Sequence, residues 1–140
     1  MRFLLSLVFL CFAIAAHAAP TEVPLGSELR AHLFDLARSP AVRQAGRPVK
    51  FAGSLKQLGN WAFFNGHVVD SAGQAVLVGD VKSSDTVVLW KQTDSKWSLV
   101  KCHVGVTGVC FLDWPLKLRS SGTFVWEVAQ MAKQQTPHRK

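Results

Sequence analysis

The chain lacks tyrosine altogether and carries only nine acidic residues and three cysteines in 140 positions. Each scarcity excludes something. No CxxC pair occurs, so a dithiol redox centre has no basis in the sequence. There is likewise no Gly-x-Ser-x-Gly elbow, HExxH pair or Walker A loop to support serine hydrolysis, zinc proteolysis or nucleotide binding. After residue 16 no apolar run reaches the ~18 residues that a membrane-crossing helix needs. Basic residues are dispersed apart from the tail Lys133, His138, Arg139 and Lys140, and no basic run is long enough to argue for nucleic acid. Internal repeats and low-complexity segments are absent too.

What is present begins with a targeting signal. Arg2 supplies a positive start, Phe3 to Ala16 form a short apolar run, and Ala16-His17-Ala18 fits a small-x-small cleavage site. Residues 1–18 therefore read as a signal peptide, and the mature chain is expected in the periplasm or outside the cell with no membrane span of its own. Cys11 follows Leu10 rather than a small residue, which argues against a lipid anchor. About 122 residues then remain, enough for one domain with a genuine core and not for two. Sixteen Lys plus Arg give the full chain a net charge of +7, a balance that favours acidic partners and also serves solubility.

The mature chain is organised around the stretch from Lys96 to Pro115, with Cys102 and Cys110 inside it. Strand alternation puts Val100, Cys102 and Val104 on one face and Leu99, Lys101 and His103 on the other. A hairpin turn at Gly105 to Thr107 would set Cys102 opposite Cys110 as a non-hydrogen-bonded pair, close enough for a disulfide. Two cysteines in an exported chain favour that bridge, which would pin the hairpin register. Left reduced, they are core thiols.

Upstream, residues 19–26 with Pro20 and Pro24 read as an extended leader. Ser27 is an N-cap, followed by an amphipathic helix with Leu29, Leu33, Leu36 and Ala37 on one side. Arg30, Asp35 and Arg38 fall mostly on the other. Ser39-Pro40 predicts a kink or restart, and Gly46 a stop. Alternation then predicts strands from Val49 to about Leu58, Trp61 to about Val69 and Thr86 to Gln92, followed by the Trp97 strand. A further strand or helix is expected between residues 123 and 131. The expected fold is α+β, with the helix packed on an antiparallel meander of about four to five strands. The domain is bounded at 27–131 and followed by a basic flexible tail at 132–140.

The segments Gly46-Arg47-Pro48-Val49-Lys50-Phe51, Trp61-Ala62-Phe63 and Val104-Gly105-Val106-Thr107, with Leu112-Asp113-Trp114-Pro115, carry a likeness. In their order after the Leu33–Arg38 helix, the chain resembles a group of small exported proteobacterial proteins over about Glu28 to Pro115. These have a helix, a G-x-P-V-x-F strand, a W-A-F strand and a closing G-x-T-D-V…W segment. Gly108 stands where the group tends to have Asp, and the cysteines at 102 and 110 are this chain's own. The resemblance implies export and the fold; the group is uncharacterised and implies no activity.

No catalytic, cofactor-binding or metal-binding residue is assigned. His103 neighbours Cys102, but adjacent strand residues point to opposite faces, so imidazole and thiol are not set up as a nucleophilic pair. The histidines are scattered, and the aspartates sit in turn contexts. Five Trp and nine Phe are rich for this length, and the core absorbs most of them. Phe63 and Phe64 are adjacent, so one of them must leave the core face of a regular strand. That residue, with Lys50, Lys56, Lys101 and His103, forms a candidate recognition surface. The leading functional expectation is an exported, non-enzymatic module that binds an envelope or secreted protein, in the manner of an inhibitor or immunity protein. A basic domain for anionic envelope glycan, lipid or polymer is the first alternative. A small-ligand or hydrolytic helix-on-sheet domain is the second, and it requires a pocket with convergent polar groups.

Overall fold

Ser27 opens the helix as the sequence requires. Its backbone is extended, and its Oγ accepts the Arg30 N–H at 3.2 Å. The computed structural model describes residues 20–106, and in it α1 runs from Glu28 to Ala45. Gly46 ends the helix in a left-handed conformation at φ 68°, its N–H donating to the Val42 carbonyl. Pro40 lies inside α1, which continues through it as one assigned helix instead of restarting.

The strands are β1 (Thr21–Glu22), β2 (Lys50–Leu58), β3 (Trp61–Val69), β4 (Asp85–Thr93) and β5 (Lys96–Val104). They form one antiparallel sheet in chain order, β1-β2-β3-β4-β5. One helix packed against this five-stranded meander makes an α+β fold. Its hairpins follow the local turn chemistry: Asp94 and Ser95 both adopt positive φ, as a tight two-residue connection between β4 and β5 demands. Asp70 organises the turn after β3, its Oδ1 accepting the N–H groups of Ala72 and Gln74 at 2.9 Å each. The segment read as a leader does more than lead. It supplies edge strand β1, and Val23 is buried in the main core.

That core lies between α1 and one face of the sheet. Leu33 and Ala37 meet Leu55, Ala62, Phe64, Val88 and Trp90, while Ala41 packs near Val49, Val68, Val76 and Val104. Phe34 stacks on Phe51 at 4.8 Å between centroids and meets Phe64 edge-on at 5.3 Å. Among the described residues, Trp90 Nε1 is buried without a hydrogen-bond acceptor.

Two expectations about facing are corrected. Arg30 was placed on the outer side of the helix, but it is buried on the inner one. Its guanidinium donates to the carbonyls of Val23 at 2.9 Å and Gly53 at 2.7 Å and stands 5.1 Å from the Phe34 ring centre, so the burial is compensated. Leu99 and Cys102 were placed on opposite faces of β5, yet both pack against the core beneath α1. A bulge is the reason: Leu89 pairs with Lys101 and Trp90 with Leu99, which leaves Val100 as an extra residue and reverses the alternation beyond it.

Candidate functional site

The register of the sheet decides which candidate residues meet. On β2 and β3, Leu55 pairs with Phe64 on the helix side, so Lys56 and Phe63 pair on the other side. Phe63 in turn lies opposite Leu89, and Leu89 opposite Lys101. A single row therefore runs across four strands: Lys56, Phe63, Leu89, Lys101. His103 pairs with Val87 and shares the Lys101 side, and Lys50 sits farther along β2 on the same face. Five of the six residues singled out for a recognition surface thus share the face turned away from α1.

Phe64 does not belong with them. It is fully buried beneath α1, because alternation sends it to the core once Phe63 faces outward.

This outer face has an apolar centre. Trp61, Val87, Leu89 and Val106 form a buried cluster, with Phe63 packed against it. Around that centre lie Lys56, Lys91 and Lys101, and Lys91 Nζ stands 5.2 Å from the Trp61 ring centre, within cation–π range. The His103 imidazole is held below its ordinary pKa, first by burial and then by the charge of nearby Lys101. Trp61, Lys91 and Val106 were missed as members of the face. The first two were within reach of the alternation that placed Phe63; Val106 was not, because it lies past the end of β5.

Cys102 is a free thiol in the structure, and Cys110 lies outside the described residues. The hairpin reading of the pair does not survive around Cys102. Its carbonyl and the Val104 N–H are both bonded to the Gln44 side chain, where a following strand would have to pair. Gly105 and Val106 instead donate to the Asp85 carbonyl at 2.9 and 3.0 Å, turning the chain back toward the start of β4. Burial pushes the Cys102 thiol up to about 11, which removes its nucleophilic thiolate at neutral pH. Cys102 packs on the helix side and His103 belongs to the other, so the two do not form a catalytic pair.

Among the described residues, no group of three or more His, Cys, Asp or Glu side chains is placed to hold a metal ion. No helix among them is long and apolar enough to cross a membrane. The signal sequence 1–18, the end of the domain at 107–131 and the tail 132–140 lie outside the described residues. The arrangement on the page is a basic and aromatic face, suited to non-covalent recognition. No protein-family model, curated protein or solved structure was found to match the chain.

Proposed function

We propose that the protein is an exported, non-enzymatic binding module whose recognition surface is the sheet face opposite α1, and that it engages a protein partner of the cell envelope or surroundings. One observation carries this reading: Phe63, Lys50, Lys56, Lys101 and His103 share that face, where the lysines surround a packed aromatic and aliphatic centre. Aromatic anchors ringed by polar groups are the usual composition of a protein-binding surface. Export through residues 1–18, with cleavage after Ala18, is part of the proposal. A second reading, binding of an anionic envelope glycan, lipid or polymer, draws on the same lysines. On this face Lys50, Lys56, Lys91, Lys96 and Lys101 far outweigh Asp85 and the Glu22 of edge strand β1.

The test is capture from envelope extract by immobilised mature protein, residues 19–140, at low and at high salt. A discrete protein retained at high salt, and lost with the double variant Lys50→Glu and Lys56→Glu, is the expected result. Captured polymer or lipid that washes off as salt rises would favour the second reading, since screened surface charge weakens steeply with ionic strength. Retention that ignores the double variant would move the binding surface elsewhere.

A further inference from the structure

The outer face of the sheet is buried, although α1 lies on the other side. Val87 and Leu89 are each 1% exposed and Trp61 5% exposed. Among the described residues, the apolar side chain that joins this cluster from beyond the strands is Val106, the last described residue. One valine cannot seal a face that spans two strands. Something else rests on Trp61, Val87 and Leu89.

We propose that the cover is this chain's own continuation, residues 107–131, laid across the face opposite α1. The path of the backbone argues for it. Gly105 and Val106 both donate to the Asp85 carbonyl, and Ser83 Oγ donates to the Val106 carbonyl at 2.9 Å. These bonds hold Val106, buried, at the edge of the apolar cluster, so the chain leaves the described region already on this side of the sheet.

The sequence that follows is suited to the place. Val109, Phe111, Leu112 and Trp114 come at once, and Phe124, Val125, Trp126 and Val128 after a polar stretch. Reach is no obstacle. Five strands spaced ~4.8 Å apart measure ~19 Å across, which about six extended residues traverse. The continuation also explains why β4 is buried on both faces, as a central layer is and the outer wall of a two-layer fold is not.

This inference stands apart from the binding reading. With the cover in place, a partner meets the lysines beside the cover and not bare Trp61.

Two measurements on the mature full chain test it. Hydroxyl-radical footprinting, with light scattering to fix the oligomeric state, should show Trp61 and Leu89 protected in the monomer at every dilution. Methyl nuclear Overhauser contacts should run from Val87 and Leu89 to residues within 107–131. Protection that disappears on dilution would assign the cover to a second copy and overturn the proposal. Oxidation of Trp61 in the monomer at the rate of the denatured chain would overturn it as well, as would methyl contacts to no residue beyond 106. The variant Leu112→Asp with Trp114→Asp should expose Trp61 severalfold while leaving the helix signal in place. Should that variant not fold, the methyl contacts in the unmodified chain still decide.

Discussion

The carboxamide of Gln44 bridges two backbone groups of β5: Nε2 donates to the Cys102 carbonyl and Oε1 accepts the Val104 N–H, each at 2.9 Å. A side chain from the last turn of α1 thereby does the work of a neighbouring strand. It satisfies an edge that would otherwise be open to another chain, and it fastens the helix C-terminus to the sheet. Gln44→Ala should cost about 1–2 kcal/mol, the worth of two net hydrogen bonds. Hydrogen exchange at the Val104 amide should quicken more than exchange at the helix centre. Gln44→Glu should do no better, because a carboxylate cannot donate to the carbonyl.

Gly53 and Gly66 face each other across β2 and β3. A Cβ on Gly66 would lie 2.7 Å from Phe64 Cζ and 2.8 Å from Gly53 Cα, and one on Gly53 would lie 2.5 Å from Gly66 Cα. These are backbone contacts, so the strands themselves would have to part. Gly53 also has φ 151°, a conformation that side chains resist. Gly66→Ala should destabilise the domain by about 1–3 kcal/mol, read as a lower urea midpoint with an unchanged slope. Gly53→Ala should cost at least as much, since its carbonyl also accepts from buried Arg30.

The Cys102 thiol is free, half-buried beneath the C-terminal half of α1, and pushed up to about 11. Alkylation by iodoacetamide at pH 8 should therefore be slow at Cys102 in the folded protein and rapid once urea unfolds it, with modification sites read by mass spectrometry. A denatured, unreduced chain in which neither Cys102 nor Cys110 alkylates would instead show a bridge between them.

The parts of the fold that depend on short stretches were legible in the sequence. Ser27 and Gly46 bound the helix through their own capping chemistry, and the alternation around Phe63 and Phe64 sent one inward and one outward. The bulge at Val100 was not legible. It is set by how β4 and β5 align over their whole length, and nothing in Leu99-Val100-Lys101 announces it. Burial of Arg30 was hidden for a similar reason, since its two carbonyl partners come from Val23 and Gly53, seven residues and twenty-three residues away. The candidate surface was half legible. Parity found Lys56, Phe63 and their companions, but the Leu89–Lys101 pairing that completes the row depends on the bulge.

That row makes His103 a reporter of the outer face. Its imidazole is held below the ordinary value of 6.5 by burial and by Lys101. The folded state therefore binds this proton less readily than the unfolded chain does, and stability rises with pH across the interval between the two pKa values. The contribution is fully present above about 6.5 and is lost as pH falls through that value toward the lower folded one. Urea midpoints measured at intervals from pH 8 to pH 5 should decline accordingly, and His103→Gln should flatten part of the decline. Lys101→Met removes one of the two causes. It should raise the His103 titration midpoint seen by proton NMR without bringing it fully to 6.5, because burial, the larger cause, remains. A midpoint unmoved by Lys101→Met would mean that the two side chains are not neighbours on this face, and the row from Lys56 to Lys101 would then have to be redrawn.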